Sequence, residues 1–360
     1  MILLTSIEAA HNYLWAYKAI IILYTLIFVF ANDKQSLSLN KQITPIMCFV
    51  IIAMITFRPE VWQYFGDTCN YSKSFRYAQQ YGNAPNKYKD IGFVATIEFF
   101  KNFNLRTWFL FFAALYVFPQ YLVCKKLFDK YTTFAFVLIV GALSFSAYGF
   151  NGMRNGTACA LVMYAIVHPS LIVKIALFVA ATSLHKSTLL PVVAYLVTFF
   201  YNDTKKYIYM WCVCFILAYS FSSILGNMQW LSDLIGDSRV DYLNQDFNTL
   251  ENASKMNFSY TGFRWDFLIY SAVPIFWGWV TIVKKGITDE WYSRLLNIYL
   301  ICNAAWLFTA RVPFNNRFAY LSWFLLPLII TYPFVLNESF RTDKRMGYLV
   351  LTYLTLSLML

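Results

Sequence analysis

Residues 104–123, NLRTWFLFFAALYVFPQYLV, decide the fold class, because Arg106 is the only charged side chain in this run. As a helix, about 20 apolar residues span the hydrocarbon core of a bilayer, and the helix satisfies its own backbone there. Comparable apolar runs recur along the whole chain of 360 residues, of which 59% are hydrophobic and 13% are charged. This composition excludes a soluble protein and predicts an all-α, polytopic integral membrane protein.

The apolar runs predict about 12 transmembrane helices, within a range of about 10 to 14, in a single transmembrane domain over residues 1–360. The runs lie at 13–31, 43–57, 104–123, 132–150, 154–168, 169–184, 187–201, 207–225, 265–283, 292–310, 318–336 and 346–360. Those at 43–57 and within 154–201 are short for an upright span. They are therefore also compatible with half-helices or re-entrant elements inside the bundle.

The distribution of Lys and Arg predicts the orientation in the membrane. Basic residues are concentrated in the loops near 34–41, 125–130, 205–206, 284–285 and 341–345. By the positive-inside tendency these loops face the cytoplasm and the amino terminus lies outside. The outer face then carries two long loops, 58–103, with short helices, and 226–264. Both are rich in polar and aromatic residues of the kind that bind sugars.

Charge and cysteine content exclude several other classes. The formal charge of +11 does not indicate nucleic-acid binding, because the charges are confined to loops and helix ends. The seven cysteines have no spacing typical of a disulfide framework or a metal site. The chain also has no Gly-rich nucleotide loop and no hydrolase motif. We therefore expect no metal and no cofactor, and any enzyme of this kind would use a donor already activated in the membrane.

Arginines on the predicted outer face are candidate ligands for an anion. They are Arg58, Arg154, Arg311 and Arg317. Arg154 lies in the turn NGMRNG at 151–156, where a structural turn requires Gly and Asn but not Arg. A guanidinium binds phosphate with two parallel hydrogen bonds, and the following helix contributes its positive end. Each arginine alone is also explained by lipid headgroups, but together, on the face where basic residues are disfavoured, they indicate an anionic substrate.

His185 and Asp67 are the candidate catalytic residues. His185 lies at a tight junction between two apolar segments, and an imidazole can accept a proton from a sugar hydroxyl near neutral pH. Asp67, in the turn-forming stretch 66–68, is an alternative base. Both have structural alternatives, since a histidine or an aspartate at such a position also caps helices.

Trp62, Tyr71 and Asn151 are the candidate sugar-binding residues. Trp62 and Tyr71 lie beside the charged part of the first long loop, where aromatic rings can stack on sugars. Asn151 opens the polar turn that contains Arg154. The alternative for the aromatic residues is the interfacial belt of a membrane protein.

The set of polar motifs resembles that of the EpsG-like exopolysaccharide polymerases, which belong with the Wzy-type polymerases of O-antigen and capsule repeat units. The resemblance rests on FR at 57–58, GDTCNY at 66–71, NGMRNGTA at 151–158 and HKS at 185–187, together with the late Arg311 and Arg317. The order and spacing agree over most of the chain. Asn155 departs from the pattern, because the family usually has Gln there, and the loop at 226–264 matches no family motif.

The resemblance implies a GT-C-like architecture and a specific activity. Such a polymerase joins oligosaccharide repeat units carried on undecaprenyl pyrophosphate at the outer face of the bacterial inner membrane, and it releases undecaprenyl pyrophosphate. The donor and acceptor lipids, membrane lipid and a protein that regulates chain length are then the expected partners, with no nucleic acid. The reaction is expected to be metal-independent and to invert the anomeric centre. The alternatives are a flippase or transporter of the same lipid-linked oligosaccharide and an O-antigen ligase-like transferase.

Overall fold

The computed structural model describes residues 6–30, 36–220, 263–310, 315–336 and 343–359. Over these residues the chain is helical and forms no strand. It divides into two compact units, one made of Met1–Thr188 and Thr331–Leu360 and the other of Leu189–Ile330.

The first unit contains the amino-terminal helices and the last helix. These are α1 (Ile7–Phe30), α2 (Ser36–Phe57), α3 (Trp62–Tyr81), α4 (Ile91–Phe100), α5 (Leu105–Phe128), α6 (Thr132–Val140), α7 (Leu143–Phe150), α8 (Met153–Val167) and α9 (Leu171–Leu184). The second unit contains α10 (Leu189–Phe200), α11 (Thr204–Ser220), α12 (Trp265–Gly278), α13 (Glu290–Phe308) and α14 (Asn316–Trp323). The chain returns to the first unit through α15 (Leu326–Leu336) and ends in α16 (Asp343–Met359).

Four helical stretches of the described chain are long and apolar enough to cross a membrane. They are Ile7–Val29, Leu105–Val140, Trp265–Lys284 and Asn316–Leu336. Gln42–Phe57 and Trp62–Tyr81 provide a fifth if they form one bent span. The apolar helices are those of a multi-pass membrane protein, as predicted. The predicted number of about 12 transmembrane helices is not confirmed.

The predicted apolar segments within the described residues coincide with helices, with two interruptions. The segment at 132–150 is divided between α6 and α7, and the segment at 318–336 between α14 and α15. The first predicted outside loop, 58–103, contains α3 and α4. Of the second loop, residues 226–262 lie outside the described residues.

The chain turns by 82° between α2 and α3. Pro59 explains the end of α2, because a proline disfavours helical geometry at the residue before it and lacks the N–H that a helix requires. A second break lies at Phe65, whose φ of −131° and ψ of 49° are not helical. The stretch from Gly66 to Tyr81 is therefore a helix with its own amino-terminal end. It stops at Gly82, whose φ of 82° suits a residue without a side chain.

Helix α8 lies in the core of the first unit, where it packs against α5, α7 and α9. Gly156 permits this packing: a Cβ at this position would lie 2.6 Å from Cβ of Tyr148 and 3.2 Å from Cε2 of Tyr116. No larger residue fits without displacing these rings. The close approach fixes the first turn of α8, and hence Arg154, against the neighbouring helices.

Candidate functional site

Arg58 follows α2 and is fully buried, with 0% of its surface exposed. Its Nε donates a hydrogen bond of 2.9 Å to Oγ1 of Thr68, and its Nη1 donates to the carbonyl of Ile55. Its Nη2 lies 3.0 Å from the sulfur of Met153, and its guanidinium carbon 4.2 Å from the ring centre of Phe109. Arg58 therefore holds the end of α2 against α3, α5 and α8. A ligand can reach this guanidinium only if the packing opens.

The stretch 66–71 is bound to the turn between α7 and α8 by two hydrogen bonds. Oγ1 of the buried Thr68 donates to the carbonyl of Phe150 at 2.7 Å, while it also accepts the bond from Arg58. The backbone N–H of Asp67 donates to Oδ1 of Asn151 at 2.8 Å. Two motifs more than 80 residues apart in sequence therefore meet, as their shared polarity predicts.

Arg154 lies in the first turn of α8 and is largely covered by protein. Its Nη1 donates to Oδ2 of Asp90 at 2.6 Å, with 15% of the Arg154 side chain and 10% of the Asp90 side chain exposed. Its guanidinium carbon lies 5.5 Å from the ring centre of Tyr88 and 5.3 Å from that of Phe93. Its Nε is buried and has no acceptor among the described residues. A desolvated cation with an unsatisfied donor is suited to an anionic ligand.

Asp90 connects Arg154 to the turn that contains His185. Its Oδ1 accepts a hydrogen bond of 3.1 Å from the backbone N–H of Lys186, and its Oδ2 accepts the bond from Arg154. Asp90 is 7% exposed and immediately precedes α4. One carboxylate therefore fixes the positions of two motifs that belong to α8 and α9.

His185 ends α9 and is 5% exposed. Its Nδ1 lies 2.8 Å from Oγ of Ser187, and it also accepts the backbone N–H of Ser187 at 3.3 Å. Because a backbone N–H can only donate, this contact favours the tautomer in which Nε2 carries the proton. In that tautomer Nε2 is the donor nitrogen of His185.

Gly92 brings α4 into contact with the end of α9. A Cβ at Gly92 would lie 2.3 Å from Oγ of Ser183 and 2.8 Å from its carbonyl carbon. Only glycine permits this approach. The contact holds Asp90, two residues before Gly92, next to the turn at 185–187.

The candidate sugar-binding residues differ in exposure. Trp62 is 60% exposed, and Nζ of Lys73 lies 5.3 Å from the centre of its ring. Tyr71 is 6% exposed, with its ring centre 5.3 Å from that of Phe93. Asn151 is partly exposed and binds the backbone of the 66–71 stretch. Of the three, Trp62 presents the most open surface.

The ring of Tyr88 lies next to Arg154, and a hydrogen bond of its hydroxyl holds it there. Its hydroxyl lies 2.9 Å from Oγ of Ser74, which itself donates to the carbonyl of Asn70, so the Tyr88 hydroxyl is the donor of this pair. Burial raises the pKa of Tyr88 above its usual value. The hydroxyl therefore stays protonated and keeps this bond at physiological pH.

The remaining predicted arginines are Arg311 and Arg317. Arg317 lies in α14 of the second unit and is partly exposed. Arg311 lies outside the described residues. Asp67, by contrast, is linked to the same turn, because its backbone N–H donates to Asn151, three residues before Arg154.

Asp90, Tyr88 and Gly92 are residues of this site that the sequence did not identify. Asp90 is 64 residues from Arg154 in the chain and belongs to no recognisable motif. The one available signal was its place before an apolar segment, which is equally typical of an ordinary helix cap. In the described part of the chain, no three His, Cys, Asp or Glu side chains are grouped so that they could hold a metal ion.

A family model described as the EpsG family matches residues 41–360. The match includes every motif of the site in the first unit. No curated protein and no solved structure matches the chain.

Proposed function

Because the chain belongs to the EpsG family, and is thereby a membrane protein of polysaccharide biosynthesis, we propose that it is a Wzy-type polysaccharide polymerase. It joins oligosaccharide repeat units carried on undecaprenyl pyrophosphate at the outer face of the bacterial inner membrane. The observation that carries the proposal is the covered but incompletely bonded guanidinium of Arg154, which is connected through Asp90 to the His185 turn.

The proposed membrane arrangement is GT-C-like, with about 12 membrane-inserted helices and an active site that faces outside. The helices that are too short for an upright span, such as Met153–Val167 and Leu171–Leu184, are half-spans in this arrangement. Irregular backbone at membrane depth is tolerated where protein encloses it or where it lines a cavity. In the proposed arrangement, the turn before Arg154 and the turn after His185 line such a cavity.

In the proposed reaction, a hydroxyl of one lipid-linked unit attacks the anomeric carbon of a second lipid-linked chain. The bond between that carbon and the pyrophosphate oxygen breaks, the leaving lipid takes both electrons, and the configuration inverts. Pyrophosphate needs positive charge while it departs. Arg154 supplies this charge through the donors that Asp90 does not occupy, and it needs no metal to do so.

Arg58 does not contact Arg154 directly and supports it through the neighbouring residue Met153. It is fully buried and bonded to Thr68 and the sulfur of Met153, the residue before Arg154. A direct bond from Arg58 to pyrophosphate requires a second conformation in which this packing opens. Arg311 and Arg317 remain proposed pyrophosphate ligands.

Asp67 and His185 divide the acid–base work. With Nδ1 occupied by Ser187, His185 orients the attacking hydroxyl by donating from Nε2. Asp67, whose backbone N–H is bonded to Asn151 in the same turn as Arg154, accepts the proton of that hydroxyl. Trp62 stacks on a sugar ring, and Tyr71 and Asn151 shape the adjoining wall. A regulator of chain length is a proposed protein partner.

Purified protein in detergent, given an undecaprenyl-pyrophosphate-linked repeat unit with EDTA and no nucleotide, tests the proposal. We expect a ladder of polymer on a gel. The ladder should disappear with Arg154→Ala and with His185→Ala. It should persist with Arg76→Ala, whose ion pair with Glu60 has the same type of contact, at 2.7 Å, but lies at the surface.

Two outcomes would overturn the proposal. If the authentic substrate gives no ladder but crosses a sealed membrane in the presence of the protein, the chain is a transporter of lipid-linked oligosaccharide. If single sugar chains are transferred to a different acceptor without growth, it is a ligase-like transferase.

A further inference from the structure

We propose that Asp90 is a positioning residue of the reaction, which aligns Arg154 with the turn that carries His185. This inference rests on the proposed function, and it concerns a residue that no motif of the chain includes. Asp90 acts through other residues and does not itself contact the substrate.

The geometry of the carboxylate is the first argument. Its two oxygens serve different elements: Oδ2 accepts from Nη1 of Arg154 at 2.6 Å, and Oδ1 accepts from the backbone N–H of Lys186 at 3.1 Å. Removing either bond would free one motif to move independently of the other. A displacement of about 1 Å in a catalytic group can lower a rate about 100-fold.

The position of Asp90 at the start of α4 is the second argument. It is an N-cap residue by backbone geometry, with φ −89° and ψ 101°, but its side chain makes no capping hydrogen bond. An aspartate at this position ordinarily bonds the free N–H groups of its own helix. Here both oxygens are directed to other elements, so helix capping does not account for the residue.

Charge is the third argument. Paired with Asp90, Arg154 keeps its position while no anion is bound, and its Nε, buried without an acceptor in the described structure, can bond a ligand once the surrounding packing opens. An anionic carboxylate next to the phosphate site also weakens binding of the released pyrophosphate by like-charge repulsion. Asp90 would therefore both align the guanidinium and favour product release.

Asp90→Asn separates the two bonds of the carboxylate. The amide oxygen can still accept from the Lys186 N–H, while the ion pair with Arg154 is lost. We expect kcat to fall roughly 10- to 100-fold, with KM changed less than about threefold. Asp90→Glu keeps the charge but lengthens the side chain, and should lose less than Asp90→Asn.

Glu98→Gln is the matched control. Glu98 lies on the same helix, and its carboxylate also holds one cation, Nζ of Lys101 at 2.7 Å, and one backbone N–H, that of Ala84. Neither of these partners belongs to the site. We expect kcat of Glu98→Gln within about twofold of wild type.

A double-mutant cycle with Arg154→Lys decides between positioning and general structure. If Asp90 acts through Arg154, Asp90→Asn should reduce kcat much less in the Arg154→Lys background than in wild type. If Asp90→Asn lowers kcat by the same factor in both backgrounds, the inference is wrong. It is also wrong if lower thermal stability fully explains the loss of kcat. Loss of the acidic limb of the pH–rate profile in Asp90→Asn would also overturn it, because Asp90 would then be the base.

Binding of farnesyl pyrophosphate, used as a soluble probe, separates this inference from the proposed function. If the wild type makes no polymer, the polymerase proposal fails. The Asp90 inference still requires tighter binding of the probe by Asp90→Asn, because the repelling carboxylate charge is gone, and a much smaller effect of Asp90→Asn when Arg154 is already replaced by Lys. Unchanged probe affinity in a folded Asp90→Asn protein would contradict it.

Discussion

Replacing Thr68 by Val should destabilise the protein strongly, although the two side chains have nearly the same shape. Thr68 is fully buried, and its hydroxyl makes two bonds between distant parts of the chain. It accepts from Nε of Arg58 at 2.9 Å and donates to the carbonyl of Phe150 at 2.7 Å. Valine provides neither bond.

The expected loss of stability follows from the buried polar groups that lose their hydrogen-bond partners. A buried polar group that loses its partner costs about 1–3 kcal/mol, and more when it is charged. Thr68→Val removes the acceptor of a buried guanidinium and the hydroxyl donor to a carbonyl. We expect a loss of about 3–5 kcal/mol in the free energy of unfolding, close to the effect of breaking a buried ion pair.

Thr56→Val is the matched control, since it removes the same hydroxyl from a residue with 2% exposure. The Thr56 hydroxyl donates at 2.7 Å to the carbonyl of Ile52, one turn earlier in the same helix. That bond lies within a single helix. The Ile52 carbonyl keeps its backbone hydrogen bond in the helix when the hydroxyl is removed. We expect a change of about 1 kcal/mol or less. Thr68→Ser, which keeps the hydroxyl, should recover most of the stability lost in Thr68→Val.

Thermal unfolding in mild detergent, followed by a thiol-reactive dye, measures these differences, because Cys124 and Cys159 are buried in the folded unit. Polymer formation by the same samples shows whether the site is also displaced. If Thr68→Val unfolds at the same temperature as Thr56→Val, the hydroxyl does not bridge the two motifs. The proposed support of Arg154 by Arg58 and Thr68 would then be wrong.

The remaining predictions concern close packing and sugar contact. Gly92→Ala should cost about 1–3 kcal/mol of stability and reduce activity, because the new methyl would overlap Ser183, whereas Gly66→Ala, whose Cβ meets nothing closer than 3.9 Å, should unfold like wild type. Equal melting temperatures for the two variants would contradict this packing. Trp62→Ala removes the ring of a residue that is 60% exposed, so stability should change by less than about 0.5 kcal/mol. The KM for the lipid-linked unit should rise about fivefold, as expected for the loss of one stacking contact. An unchanged KM would remove Trp62 from the sugar site.

The sequence predicted the helical class and the positions of the apolar helices, because lipid-compatible runs leave the backbone only one conformation. It did not predict the length of the polar helix α3, which lies within the predicted outside loop 58–103. It also did not determine how many of the apolar helices cross the membrane. Segments such as 154–168 are helical but short, and hydrophobicity alone does not distinguish a half-span from a core helix. The break between α6 and α7 was also missed, since residues 132–150 read as one apolar run.

For the site, polarity within apolar surroundings was the informative signal. It identified the stretches around Asp67, Arg154 and His185, which the first unit brings together. It did not indicate that Arg58 is buried, because burial of a guanidinium depends on tertiary partners such as Thr68. Asp90 was not found, because an aspartate before a helix is common and its partners are distant in the chain.

Polymerisation with release of undecaprenyl pyrophosphate is the central claim, and counting both products tests it most directly. Purified protein is given the lipid-linked repeat unit, and new glycosidic bonds and free undecaprenyl pyrophosphate are measured in the same samples over time. We predict one released lipid for each bond formed, with both signals absent in Arg154→Ala and present in Arg76→Ala. Lipid release without chain growth, or neither product from an authentic substrate, would contradict the account.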